Sequence, residues 1–255
     1  MRFASLGSGS EGNALVVECG KTRVLLDCGF GPRELRLRLA RLNLVPENLD
    51  AVLITHEHND HIGGAPAVTR RFGLPVRLSY GTLCGATRGF ADGTDVGVID
   101  SHQPFTIGDL EIRPFPVPHD AREPTHFVFS DGARRLGVLT DAGSVTPHML
   151  EMLSALDALV LECNHDSDML ANGRYPQPLK TRIAGRLGHL SNAIAAELLA
   201  GVAGDRLQHI IAAHLSRENN TPELARCALA GALGCADDWI GVATQDAGFD
   251  WRQIA

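Results

Sequence analysis

No stretch of the 255 residues approaches the roughly 20 consecutive apolar residues that a membrane-crossing helix needs. Met1 leads into a strand-like segment rather than a basic then apolar export signal, so the chain is expected in the cytoplasm, with no membrane partner. The six cysteines, Cys19, Cys28, Cys84, Cys163, Cys227 and Cys235, form no C-x-x-C pair. Neither a disulfide framework nor a thiolate zinc site follows, and reduced, mostly buried thiols are expected. Repeats, low-complexity tracts and Pro- or Ser-rich linkers are also missing, so nothing marks a boundary. With 44% hydrophobic and 21% charged residues, one domain over residues 1–255 can bury a large core. Nor is there an excess of positive charge: a net charge of -7 argues against a basic surface that envelops nucleic acid, although local charge can run the other way.

What is present is a succession of short apolar runs: Asn13 to Glu18, Arg23 to Asp27, Ala51 to Thr55, Leu110 to Val117, Arg135 to Thr140, Ala158 to Glu162 and Gln208 to Ala213. Their length predicts strands. Helical patterns lie between several of them. Pro32 to Leu42 places Leu35, Leu39 and Leu42 on one stripe, Gly63 to Phe72 suggests a second helix, and Ser191 to Val202 is rich in Ala and Leu. Thr221 can cap another, with Pro222 at its first position. The first strands read as hairpins, with Gly20 and Lys21 at a turn, and the later ones alternate with helices, which is a mixed α/β (α+β) pattern. The segment Asp166 to Pro178 contains Asn172, Gly173, Pro176 and Pro178 and is expected to be a mobile loop.

Gly7, Gly9 and Gly12 fit G-x-G-x-x-G, with Asp27 as a downstream acid, the pattern of a dinucleotide site. The following segment is a β-branched run, Ala14 to Glu18, and not a helix whose N-terminus could receive a pyrophosphate. A glycine-rich loop at the rim of a site is the plainer reading.

The densest chemical signal follows the apolar run Ala51 to Ile54: Thr55-His56-Glu57-His58-Asn59-Asp60-His61. Imidazole nitrogens with a carboxylate suit zinc, manganese or iron rather than calcium. One histidine beside a strand is ordinarily structural; three with an aspartate in one loop are not. His119, Asp141 and His214 each follow the C-terminal end of another apolar run. Taken singly, Asp141 reads equally well as a capping residue and the histidines as surface residues. Together they complete two metal shells.

H-x-H-x-D-H followed by spaced His, Asp and His resembles the metallo-β-lactamase superfamily, and the resemblance extends from Met1 to His214. It implies a four-layered αββα sandwich with two divalent ions, zinc or manganese, at one sheet edge. By resemblance, His56, His58 and His119 bind the first ion, Asp60, His61 and His214 the second, and Asp141 bridges them. Such ions lie roughly 3.5 to 4 Å apart, and a shared water ionised near neutral pH is the nucleophile.

Two further segments, Leu161 to Asp166 and Gly188 to Asn192, are similar in order to the motifs of the nuclease branch, which includes ribonuclease Z. More similar still is the YycJ/WalJ-like branch of 5′-to-3′ exonucleases, which has segments like Gly7 to Asn13, Asn164 to Asp166, Gly188 to Asn192 and Ser216 to Asn220. The implied reaction is phosphodiester hydrolysis on nucleic acid, with DNA the first choice. His189, oriented by Glu162, suits protonation of the leaving oxygen, and His165 is the rival donor. Asp60 belongs to both the metal and the catalytic set.

From Met169 to Ala196 no acidic residue occurs, while Arg174, Lys180, Arg182 and Arg186 do, and Arg217 follows His214. Arg174, Lys180, Arg182 and Arg217 are candidate phosphate ligands; a solvated basic face is the alternative. Ser8, Ser10 and Asn13 can donate to a phosphate or simply shape their loop, and Tyr175 can stack on a base. The chain leaves no room for the inserted domain of β-CASP enzymes. Competing readings are an RNA-processing nuclease, a hydrolase of a small ester, thioester or cyclic phosphodiester, and, outside hydrolysis, a mononuclear iron dioxygenase or metal scaffold.

Overall fold

Three antiparallel strands open the computed structural model, which describes residues 1–86 and 89–255: β1 (Arg2–Gly7), β2 (Ala14–Cys19) and β3 (Thr22–Leu26). The β2–β3 turn falls at Gly20 and Lys21 as expected, with Gly20 at φ 57°, a left-handed conformation that glycine adopts without steric cost. The strands β4 (Ala51–Leu53), β5 (Val76–Ser79) and β6 (Val96–Ile99) then add in parallel to β3. A second sheet takes β7 (Phe105–Ile107), β8 (Leu110–Pro116), β9 (Thr125–Ser130) and β10 (Arg135–Leu139) as antiparallel neighbours. It continues in parallel through β11 (Ala158–Glu162), β12 (His209–Ala213) and β13 (Gly241–Val242). The last strand, β14 (Phe249–Gln253), returns to the first sheet and pairs with β1. The two sheets thus run β14-β1-β2-β3-β4-β5-β6 and β13-β12-β11-β10-β9-β8-β7.

Strand alternation assigns the layers. Along β11, Ala158 and Val160 pack with Phe3, Val17 and Val24 of the first sheet, while Leu159 and Leu161 pack with Met149, Leu198, Leu199 and Leu229 of helices Pro147–Met152, Asn192–Val202 and Pro222–Leu233. On the far side, Leu25 and Val52 pack with Leu35 and Leu39 of helix Pro32–Ala40 and Val68 of helix Ala65–Phe72. Strands covered on both faces need side chains that are apolar on both, which is why these runs read as continuous rather than alternating. The order is helices, sheet, sheet, helices: the expected αββα sandwich.

The caps follow the sequence reading. Ser191 Oγ accepts from Ile194 N and Thr221 Oγ from Leu224 N. Two expectations change. Asp166 to Pro178 is not one loop: Asp166 caps helix Ser167–Asn172, and Pro178 lies in the first turn of helix Gln177–Ile183, where its missing N–H costs nothing. Nor are the thiols mostly buried: Cys28 and Cys163 are, but Cys84, Cys227 and Cys235 are exposed. No helix among the described residues is long and apolar enough to cross a membrane.

Candidate metal centre

The C-terminal ends of β3, β4, β10, β11 and β12 meet at one rim, and each delivers a polar side chain there. Asp27 follows β3, the His56–His61 loop follows β4, Asp141 follows β10, Glu162 ends β11 and His214 follows β12; His119 arrives from the end of β8. Asp27, Asp141 and His214 take positive φ, at 60°, 52° and 53°. Asp and His tolerate the left-handed region better than most residues, and turning the backbone there aims their side chains inward, at a cost of order 1 kcal/mol each. Close approach of the loops depends on Gly29, where a Cβ would stand 2.1 Å from the Asp60 carbonyl oxygen.

The imidazoles are tethered through one nitrogen. His61 Nδ1 lies 2.8 Å from Asp27 Oδ2, His56 Nδ1 3.0 Å from Thr55 Oγ1, His119 Nδ1 3.0 Å from the Gly188 carbonyl, and His189 Nδ1 2.8 Å from Glu162 Oε1. His214 Nδ1 faces Asn164 Nδ2 and Glu162 Oε1 at 3.4 and 3.6 Å. Nε2 is the other nitrogen of each ring: that of His61 lies 3.1 Å from Asn13 Nδ2 and that of His214 3.4 Å from Asp60 Oδ2, while that of His56 is buried without a hydrogen-bond partner among the described residues. His58 is turned the other way, offering Nδ1 at 3.2 Å from His119 Nε2. Anchoring the second nitrogen fixes tautomer and ring direction, which is how proteins hold metal-binding histidines.

Candidate ligand atoms gather into four sets among the described residues, one of them Asp141, Glu162, His189 and His214. Those of His56, His58 and His119 all lie within 4.8 Å of one another, as do those of Asp60, His61 and His214, and His56, His61 and Asp141 form a third such set between them. All seven expected ligands therefore converge. Cations fit this arrangement: His56 Nε2 and Asp141 Oδ2 are buried without a hydrogen-bond partner among the described residues. His61 Nε2 stands 2.9 Å from Asp141 Oδ2, within ion-pair distance though outside hydrogen-bond geometry, so the two atoms can face a cation between them.

The charges point the same way. Burial opposes ionisation of Asp141, yet the surrounding imidazoles hold its carboxyl well below the usual range. Burial likewise opposes, and His189 and His214 overcome, the ionisation of Glu162, whose pKa falls to about 2. His214 is raised to about 10, burial being outweighed by Asp141, Asp60 and Glu162. His56 is driven down by burial and by neighbouring imidazoles. Buried carboxylates at this density call for cations, and bound ions would displace the protons that His61 and His214 otherwise carry.

Of the two candidate proton donors, His189 is in the centre and His165 is not. The Glu162 carboxylate accepts from His189 Nδ1 through Oε1 and from Ala142 N and Leu190 N through Oε2, tying the Asp141 and His189 loops to β11. Glu162 and Asp141, acting against burial, raise the His189 pKa, and its ring remains 21% exposed. His165 turns into a separate pocket between helices Ser167–Asn172 and Gln177–Ile183.

The candidate phosphate ligands are differently placed. Ser8 Oγ accepts from His214 N, and Asn13 bonds to Gly9 N, Gly9 O and the Asp60 carbonyl, so both brace the centre, while Ser10 is exposed. The cations already have partners: Arg182 pairs with Asp120, Arg174 with Glu218, Arg217 with Glu11 and Asp246, and Lys180 donates to the Ala171 carbonyl. These are exposed contacts worth about 1 kcal/mol or less, weak enough to exchange for a phosphate.

Sequence reasoning missed Asp27 and Thr55, whose hydroxyl bridges the Asp27 carboxylate and the two rings of His56 and His61. It also passed over Asp120, whose Oδ1 lies 3.5 Å from His119 Nε2 and 3.7 Å from His58 Nε2.

Comparison with known proteins bears on this geometry. The model of the β-lactamase superfamily domain matches residues 22–210. The chain is 36% identical to exodeoxyribonuclease WalJ of Streptococcus pneumoniae serotype 2 (strain D39) over 245 residues, which cover 94% of this chain and 91% of that one. It is 37% identical to exodeoxyribonuclease YycJ of Bacillus anthracis over 243 residues, covering 91% and 89%. The crystal structure of the metallo-β-lactamase fold protein YhfI from Bacillus subtilis superposes with a TM-score of 0.75 at 18% identity, covering 99% of both chains.

Proposed function

Because the chain belongs to the β-lactamase superfamily, and within it to the family of the exodeoxyribonucleases WalJ and YycJ, we propose that it is a binuclear metal-dependent phosphodiesterase that degrades DNA from the 5′ end. His56, His58 and His119 would hold one divalent ion and Asp60, His61 and His214 the other, with Asp141 between them; zinc and manganese are the ions that this donor set suits. When bound, such a pair polarises a phosphoryl oxygen and acidifies a water toward neutral pH. The observation that carries the reading is the convergence of these donor atoms, with His56 Nε2 and Asp141 Oδ2 buried and without a hydrogen-bond partner among the described residues.

The chain's own groups account for the rest of the reaction. Glu162 holds His189 by Nδ1, which keeps its Nε2 available, and its carboxylate raises the pKa of the ring, favouring the protonated form. Nε2–H then gives its proton to the departing oxygen as the P–O bond breaks, and the exposed edge of the ring recovers a proton from solvent. Asp27 and Thr55 orient His61 and His56, and Arg182, paired with Asp120, would bind a substrate phosphate.

Purified protein supplied with manganese should shorten 3′-labelled DNA progressively from its 5′ end, and Asp141→Ala should leave the label at full length. Failure to cut DNA with manganese, zinc or magnesium, under conditions where the fold is intact, refutes the proposal.

A further inference from the structure

Outside the metal centre, the described residues form a pocket of about 490 Å³ between helices Ser167–Asn172 and Gln177–Ile183. Its floor is apolar, from Leu170, Ala171 and Ala184, and its edges carry Gln177, Thr181 and Lys180; no carboxylate lines it among the described residues. His165 closes the inner end. That side chain is 3% exposed, and its Nδ1 is buried with no hydrogen-bond partner among the described residues. A buried imidazole nitrogen left unpaired costs about 1–3 kcal/mol, so a partner from outside the chain is the natural completion.

The pocket adjoins the centre through the backbone. Asn164, the residue before His165, donates from Nδ2 to the His214 carbonyl, and the His165 carbonyl accepts from Asn192 N in the segment that begins with His189. The ring is close enough to Glu162 and His189 to feel their charge, though burial holds its own pKa down. A neutral imidazole offers one donor and one acceptor, which matches the edge of a heterocycle and not an anion. A slot of this size with an apolar floor, a few convergent polar groups and a lysine at its mouth is the form of a small-molecule subsite.

Resting on the exonuclease reading above, we propose that this pocket receives a nucleobase of the DNA strand under degradation, with its edge on the His165 ring and Gln177 and the adjoining phosphate on Lys180. The strand would then be gripped at the base beside the centre as well as by its backbone, and stacking on an apolar floor would make that grip tolerant of sequence.

The test uses the holoenzyme and a short single-stranded oligonucleotide with phosphorothioate linkages that resist cleavage, with binding read by fluorescence anisotropy. An abasic site is walked through the first nucleotides. In the wild type, one position should weaken binding about tenfold, the contribution of a single stacked base. Ala184→Trp fills the pocket from an exposed position. It should weaken binding of intact DNA by a similar factor and abolish the further loss at that position; Thr181→Trp, also exposed, should do the same and guards against a folding defect in either variant. Equal abasic losses in the wild type and both tryptophan variants overturn the pocket while leaving the exonuclease reading standing. Absence of DNA binding by the wild type overturns both.

Discussion

Replacing Asp27 by asparagine changes one atom's chemistry at a position where the structure dictates which way the amide must face. Asp27 Oδ1 accepts from the fixed backbone N–H of Thr55 at 2.9 Å, so the carbonyl oxygen of the asparagine has to occupy that place. The amide nitrogen then lands where Oδ2 now stands, 2.8 Å from His61 Nδ1. An N–H facing Nδ1 requires Nδ1 to accept, which moves the ring proton to Nε2, the nitrogen directed at Asp60 and Asp141. The backbone should not object, because asparagine tolerates the φ of 60° as well as aspartate does. Loss of such a supporting contact typically lowers metal affinity 10- to 100-fold, or about 1.4 to 2.7 kcal/mol. Zinc titration of chelator-stripped protein against a competing indicator should therefore show one ion weakened by that factor, the one held by Asp60, His61 and His214, with the other nearly unchanged. If both ions weaken together, or neither does, the tautomer argument is wrong.

Other outcomes follow from the same geometry. His189→Ala and Glu162→Gln should each lower kcat by about 10²- to 10⁴-fold while DNA affinity in a binding assay holds, and a loss confined to KM would remove His189 from the proton-transfer step. Arg182→Glu should weaken DNA cleavage and reduce the salt dependence of DNA binding by about one unit of slope, whereas hydrolysis of a small ester, if that were the true activity, would not respond. His126 is fully buried with both ring nitrogens unpaired among the described residues, and burial depresses its pKa to about 3. The unfolded chain, with a histidine pKa near 6.5, binds the proton that the folded one refuses. Stability should thus fall as pH drops from about 6.5 toward 3, by about 2 kcal/mol at pH 5. Denaturant melts of His126→Leu should lack this contribution, and an unchanged pH slope would exclude it.

Much of the centre was legible in the chain because its ligands share a position: each follows the C-terminal end of an apolar run, where strands of both sheets discharge at one rim. Asp27 obeys the same rule after Arg23 to Leu26, but its place downstream of Gly7, Gly9 and Gly12 drew it into a dinucleotide pattern instead. The glycines serve close packing: Asn13 N donates to the Asp60 carbonyl, bringing that loop against the metal-binding one. Strands β5, β6, β7, β13 and β14 escaped notice because they are short or at sheet edges, where pairing rather than pattern defines them. The β9 segment was obscured by His126, a polar residue at a position facing the helix layer. Ion pairs such as Arg182 with Asp120, which lie 62 residues apart, leave no trace in local sequence.

The account stands on a pair of ions caged by seven side chains. Counting metal by mass spectrometry on the intact, natively ionised protein tests this most directly: two zinc or manganese ions per chain for the wild type, falling on Asp141→Ala, is the predicted result. A single iron per chain, bound equally well by the Asp141→Ala variant, would contradict it.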